Sequence, residues 1–419
     1  MNQMRSARDI AYGSAPVPAW KDNHVLAENY NSGQLGSISG RMDGDVLEYR
    51  YGSDIKRCVK GKLLGKGGFA KCYELTDLAT NTVKACKLVT KESLNKHRAK
   101  SKLQNEIKIH KSMSHRHIVN FEHYFEDKDN VYLVLELCHN KSLMELVKKR
   151  KRLTEPESQY YMQQILQATV YMHNSNVIHR DLKLGNLFLD KKMEVKIGDF
   201  GLATRLSHSE EKKRTICGTP NYIAPEMLEG RSHRGHSFAV DIWSLGVILY
   251  TFVVGKPPYE TSDVKTTYKR IRANAYSFPD HVVLSPQVKD LIRSILVVDP
   301  EKRPSLQTIL AHPWFTQNNI PRSLPTSALT MPPNLEVLEN RRLGAASLSG
   351  ALTSRGSGDT AATMAVSHAP GASGAITSRR TSPASKHKHS KEAVATENGN
   401  GNVFSSQLQP RSARQHHVL

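Results

Sequence analysis

Cysteine is scarce and irregularly spaced in this chain. The 419 residues include five, Cys58, Cys72, Cys86, Cys138 and Cys217, an odd number with no CxxC pair. That pattern argues against a disulfide framework and a structural zinc site, and it suits a reducing compartment. Long apolar runs are missing as well. The most apolar window, Ala239 to Val254, contains Asp241 and falls short of the ~20 residues a bilayer span needs. The first twenty residues hold no run long enough for a signal-peptide core, so a soluble protein of the cytoplasm or nucleus is expected. Acidic residues are the minority, 39 against 59 Lys and Arg, for a net charge of +20. Residues 1–57 are neutral and residues 336–419 carry +5, which leaves +15 on the middle of the chain. A basic folded region favours anionic partners: nucleotide phosphates, acidic protein substrates or nucleic acid.

Residues 1–57 show no sustained period and read as a disordered leader. Residues 336–419 turn to Ala, Gly, Ser, Thr, Arg and His, the composition of a low-complexity tail. Within that tail Arg379-Arg380-Thr381-Ser382-Pro383 has the form of an acceptor for basophilic or proline-directed kinases; an unmodified solvated tail is the plainer alternative. No internal repeat is present. Between the two ends, Leu64 leads into Gly65-Lys66-Gly67-Gly68-Phe69-Ala70-Lys71-Cys72. A strand, glycine-rich turn and second strand here would let backbone amides close over phosphates. A Rossmann fold or a plain hairpin uses similar glycines, but no helical pattern follows directly. Val83 to Lys87 reads as the next strand. Lys87 would face solvent unless a carboxylate meets it, and Glu106, on a helical segment with Leu103, Ile107 and His110, is the candidate.

The basic run Lys148 to Arg152 is expected to be a solvated loop. Thr154 and Glu157 form a capping box for a helix presenting Met162, Ile165, Thr169 and Met172 on one face. Val240 to Tyr250 is apolar nearly all round and should be a buried central helix, stopped by Gly255 with Pro257-Pro258 beyond.

Chemistry concentrates in Val177 to Asn186, with Asp199-Phe200-Gly201 following. Phosphoryl transfer needs a group that orients a hydroxyl, a cation near the moving phosphate and oxygen ligands for magnesium. Asp181, Lys183, and the pair Asn186 and Asp199 can supply these in that order. His179-Arg180-Asp181 alone would pass for a polar turn. The ordered set does not: the glycine loop, Lys87, Glu106, this loop, Asp199-Phe200-Gly201, Ala224-Pro225-Glu226, Asp241 to Gly246, and Arg303.

That set resembles the eukaryotic protein kinase family over residues 58–315. The resemblance implies an α+β bilobal fold, with a small antiparallel sheet and one main helix in the N-lobe and a larger, mainly helical C-lobe. It implies a serine/threonine protein kinase using ATP and Mg²⁺. Lys87, held by Glu106, would pair with the α/β-phosphates. Asp199 and Asn186 would bind magnesium, Asp181 would accept the substrate hydroxyl proton, and Lys183 would neutralise γ-phosphate charge. Glu226 with Arg303 matches a buried structural ion pair, Asp241 a brace on the catalytic loop, and Thr219 a threonine bonding Asp181 and Lys183. Arg180 implies activation by a phosphate on the segment from Asp199 to Glu226. Thr215 is the best acceptor there, and the preceding basic residues suggest a basophilic upstream kinase.

The sequence is similar in particular to the polo-like kinases. Their glycine loop is matched by Leu64 to Cys72, with Ala70 at the usual third glycine and Cys72 over the adenine. Leu135 would be the gatekeeper, Glu136 and Cys138 the adenine-facing hinge, and Phe188 the floor. Ile320-Pro321 to Pro332-Pro333 matches an extension, residues 316–335. The resemblance implies a monomeric, cell-cycle enzyme acting on acidic Ser/Thr sites, with centrosome or spindle as an address. Polo boxes would need more than the 84 residues after 335, so they are expected to be absent, or the sequence truncated. A pseudokinase scaffold would have lost Lys87, Asp181 or Asp199, and none is lost. Nucleic-acid binding lacks a recognition motif.

Overall fold

The computed structural model describes residues 46–334, apart from 68–69, 96, 209–210, 214–216, 230–234 and 318–319. Gly68, Phe69, Thr215, the leader up to residue 45 and the expected tail therefore lie outside the described residues.

The N-lobe is a six-stranded antiparallel sheet in the order β1-β2-β3-β4-β6-β5. Its strands are β1 (Val46–Tyr51), β2 (Asp54–Lys66), β3 (Ala70–Asp77), β4 (Val83–Thr90), β5 (Phe121–Glu126) and β6 (Asn130–Leu135), with helix α1 (His97–Lys111) between β4 and β5. Residues 46–57, expected to belong to the leader, instead carry β1 and the start of β2. Val46 to Tyr51 pairs along its whole length with β2, because Tyr49 has an apolar site to fill. Its ring stacks on Phe125 with centroids 4.0 Å apart and planes 7° from parallel, and His123 lies against both Tyr49 and Tyr51. β1 and β5 are opposite edges of the sheet, so this aromatic seam draws the two edges together. Beneath it Cys58, Leu75, Cys86, Tyr132 and Val134 form one small core. On the other face Leu103 and Ile107 of α1 pack on Val89, Phe121, Val131 and Leu133, as the apolar spacing on that helix required.

The C-lobe comprises α2 (Leu143–Arg150), α3 (Glu155–Asn174), α4 (Pro225–Leu228), α5 (Ala239–Val254), α6 (Val264–Arg272), α7 (Pro286–Ile295), α8 (Leu306–Leu310) and α9 (Pro313–Thr316). Two short ribbons complete it: β7 (Val177–Ile178) with β10 (Thr204–Arg205), and β8 (Leu187–Leu189) with β9 (Val195–Ile197). Thr154 caps α3 through the reciprocal bonds expected with Glu157. Helix α5 is buried from Val240 to Val253 and stops at Gly255, whose φ of 96° suits glycine. A side chain there would collide with the Lys151 carbonyl. No helix among the described residues is long and apolar enough to cross a membrane.

The basic run at 148–152 departs from the solvated loop expected for it. It ends α2, and Arg150 is buried. Its guanidinium takes both Glu157 oxygens at 2.7 and 2.9 Å and also donates to the Ala328 carbonyl. Leu324 and Ala328 of the C-terminal extension join the main core, with Ile320 and Leu329 packed against it. The sequence shows a charge run; packing turns one member into the anchor for a segment far along the chain.

Four histidines are buried among the described residues, and three of them are His110, which donates to the Val119 carbonyl at 2.8 Å, His117, which donates to that of Val195 at 3.1 Å, and His236. Burial holds each of these three down to about 4 from 6.5.

Two outcomes follow. Arg150→Ala leaves Glu157 as an unpaired buried carboxylate and should lower stability by about 3 kcal/mol, read as a shifted urea midpoint; an unchanged midpoint would show that the pair is dispensable. Between pH 6.5 and 4 the unfolded chain binds more protons at the three histidines than the folded one, so stability rises with pH across that window. The urea midpoint should be lower at pH 5 than at pH 7, and equal midpoints would refute neutral burial.

Candidate active site

The loop between β7 and β8 carries the acid, and its shape is set from beneath. Asp241, fully buried in the first turn of α5, accepts from the backbone N–H of His179 at 2.9 Å and of Arg180 at 2.8 Å. His173, at the end of α3, donates to the same carboxylate at 2.9 Å. Burial alone would raise its pKa, but the bonds and charge of His173 and His179 hold Asp241 below the usual carboxylate range. Gripped in this way, Arg180 takes a φ of +64°, a conformation that is unfavourable for a side-chain-bearing residue.

Above this brace the predicted residues converge. Lys183 Nζ lies 2.7 Å from Asp181 Oδ2 and 2.8 Å from Thr219 Oγ1, and the Thr219 hydroxyl donates to Asp181 Oδ1 at 2.8 Å. Asn186 Nδ2 donates to the Asp181 carbonyl at 2.9 Å and to its Oδ2 at 3.1 Å. Both amide hydrogens are thereby directed at Asp181, which leaves the Asn186 side-chain oxygen as the end able to ligate a cation. The Asp181 carboxylate is thus fixed by three donors from two segments.

The second centre spans the lobes. Lys87 on β4 donates to Glu106 Oε1 on α1 at 2.6 Å and to Asp199 Oδ1 at 3.3 Å. Burial would depress the Lys87 pKa, but Glu106 and Asp199 more than reverse that and hold it well above the usual lysine value. Burial likewise acts to raise Asp199, and Lys87 with His179 overcomes it, keeping the carboxyl ionised. Asp199 has a φ of +60°. A Cβ on Gly201 would stand 3.3 Å from both Asp199 Oδ1 and Glu106 Oε2, so glycine here lets the triad close. Phe200 is fully buried against His110 and His179, with ring centroids 4.6 and 5.2 Å away. This packing keeps Asp199 turned toward Lys87.

Facing these groups is the glycine hairpin. Gly65 pairs with Cys72 and Lys66 with Lys71, and the Gly67 N–H donates to the Ala70 carbonyl at 2.8 Å. At Gly65 a Cβ would meet nothing within 4 Å, so the space beside this turn is open. Cys72 lies opposite Lys87 in the sheet, and burial raises its thiol pKa, with Lys87 partly opposing. Phe188 underlies Gly198 so closely that a Cβ there would be 2.9 Å from the ring.

The hinge needs a refinement. The Glu136 side chain does not face the cleft as a free group. Its oxygens take Lys196 at 2.8 Å and the Asn120 N–H at 3.1 Å, and its own N–H donates to the Asn120 carbonyl at 2.9 Å, so only its backbone carbonyl is left for a base. Cys138 is half-buried, and burial pushes its thiol up to about 12. Arg180 is engaged too, donating through Nε to the Leu202 carbonyl at 2.8 Å. The Glu226–Arg303 pair is bidentate, 2.7 Å on each side, with Arg303 also donating to the carbonyls of Ala239, Val297 and Val298 and lying over Trp243. Sequence reading missed His173 and Lys196, because their partners are fixed only by the fold.

The pattern for the protein kinase domain matches residues 58–315. Similar chains include the probable serine/threonine-protein kinase CCRP1 of Zea mays, 59% identical over 285 residues, 68% of this chain and 45% of that protein. The serine/threonine-protein kinase PLK1 of Xenopus laevis is 54% identical over 282 residues, 67% of this chain and 46% of that protein. The cell cycle serine/threonine-protein kinase CDC5/MSD2 of Saccharomyces cerevisiae is 52% identical over 277 residues, 66% of this chain and 39% of that protein. The chain spans less than half the length of these curated relatives. With the matched pattern covering more than half of its residues, and the cross-lobe triad and braced loop in place, the chain belongs to the protein kinase family, in its polo-like branch.

Proposed function

We propose that this chain is a serine/threonine protein kinase that moves the γ-phosphate of ATP to protein hydroxyls, with a part in the cell cycle. The observation that carries the reading is the state of the site: Lys87 is paired with Glu106, Phe200 is packed inward, and Asp181 is held by Lys183, Thr219 and Asn186. The donor set suits magnesium, since the ionised Asp199 carboxylate and the free Asn186 oxygen are hard ligands. When bound, magnesium neutralises phosphate charge. The protein's own residues do the rest. Lys87 orients the nucleotide phosphates, the hairpin from Leu64 to Cys72 encloses them, and the backbone at Glu136 and Cys138 meets the base above Phe188. Asp181 orients the incoming hydroxyl and takes its proton, and Lys183 offsets negative charge beside it.

Acidic residues around the acceptor fit the basic domain. Phosphorylation of Thr215 by a basophilic kinase fits Arg180, the cation next to Asp181 in the chain. The present bond from Arg180 to Leu202 gives that phosphate something to compete with.

Lys87→Met and Asp199→Asn should each lower phosphate transfer from Mg-ATP to an acidic Ser/Thr peptide by at least about a thousandfold while circular dichroism stays unchanged. Turnover at the unsubstituted rate in either variant would sink the assignment. Thr215→Asp should raise kcat, and Thr215→Val should block activation by a basophilic kinase. If neither substitution nor phosphatase treatment changes the rate, Thr215 is not the switch.

A further inference from the structure

Helix α6 buries Thr267 and Ile271 and turns most of its remaining surface outward. At about 100° per residue, Val264, Tyr268, Arg272, Lys265 and Lys269 follow one another around its outer face. Val264 is 49% exposed, which gives this face an apolar edge beside three cations. The nearby acids have other partners, and Asp263 also acts on Lys265 through its charge. Asp263 caps the helix, accepting from the Thr266 N–H and hydroxyl at 2.8 Å each, and Glu260 accepts from Asn221 at 3.3 Å. Among the described residues no carboxylate forms an ion pair with Lys265, Lys269 or Arg272. Lys265 with Lys269 and Lys269 with Arg272 are like-charge pairs at helical spacing, an arrangement that destabilises a helix until an anion covers it.

Position gives the face a use. Arg272 donates to the Leu228 carbonyl at 3.2 Å, and α6 packs on α4. The segment from Thr219 to Leu228 therefore runs from the hydroxyl bonded to Asp181 to the flank of this helix. We propose that the outer face of α6 docks an acidic stretch of the protein substrate, carrying one bulky apolar residue and separate from the phosphoacceptor. This rests on the kinase reading. Each exposed charge contact is weak and screened by salt, but a second contact on the same chain raises the effective concentration of the acceptor at Asp181. Val264 supplies the apolar part of the contact; Tyr268 beside it packs against the main core.

Binding is tested first, with the full chain and a fluorescent peptide of Asp and Glu with one Leu and no Ser or Thr. Lys265→Glu/Lys269→Glu should weaken its binding about tenfold, whereas Lys148→Glu/Lys149→Glu, the same charge change on exposed positions of α2, should leave it unaltered. Absent binding to the unsubstituted chain, or equal loss in both variants, overturns the proposal and makes the effect one of net charge. A second arm joins an acceptor peptide to the acidic segment through a glycine linker. The joined substrate should show a lower KM than the acceptor alone at equal kcat, and the α6 variant should abolish only that difference. An equal KM for the two substrates also counts against docking. Absence of turnover on both peptides counts against the kinase reading instead, and the binding arm then decides docking by itself.

Discussion

The catalytic loop depends on a single buried carboxylate. Asp241 enters the core at the start of α5, where an unpaired charge would be prohibitively unfavourable, and it is tolerated because two backbone N–H groups and His173 are aimed at it. The dependence runs both ways. Those bonds hold Arg180 at a positive φ, and Asp181, Lys183 and Asn186 take their directions from that turn. Helix α5 is buried along nearly its whole length, so a packed core element is what positions the acid. A loop held only by its own side chains could not keep the Asp181 carboxylate between Lys183 and Thr219 with comparable precision.

The cross-lobe contact works on a different principle. Lys87, Glu106 and Asp199 come from a strand, a helix and the start of a loop, and nothing covalent forces them together. Each would resist burial alone; together they satisfy one another, so the contact exists only while the lobes are in register. Phe200 ties that register to hydrophobic packing through His110 and His179. Charge pairing and ring burial therefore favour the same arrangement.

That Asp181, Lys183 and Asn186 meet in one cluster, and Lys87, Glu106 and Asp199 in another, was legible in the sequence from the ordered motifs that resemble the kinase family. Thr154 with Glu157 and the apolar run of α5 were legible through capping and periodicity. What escaped depends on partners that only the fold supplies. The strand at Val46 to Tyr51 alternates apolar Leu47, Tyr49 and Tyr51 with polar Glu48 and Arg50, a pattern too short to stand out, and it is secured by Phe125, far along the chain. Arg150 looked like any member of a basic run until Glu157 and Ala328 enclosed it. Glu136 sits at the hinge as expected, but its side chain is occupied by Lys196, a pairing that no local pattern announces.

Tyr49 of the N-lobe and Arg150 of the C-lobe share a property. Both fasten segments outside the 58–315 span that the kinase pattern recognises, one ahead of it and one beyond it. The recognised span and the cooperative folding unit are therefore different objects. Recombination that moved this domain into a new gene would have to carry the chain from about Val46 to Met331. A break at the first edge of the shorter span would take Tyr49 from Phe125, and one at the second would take the Ala328 carbonyl from Arg150.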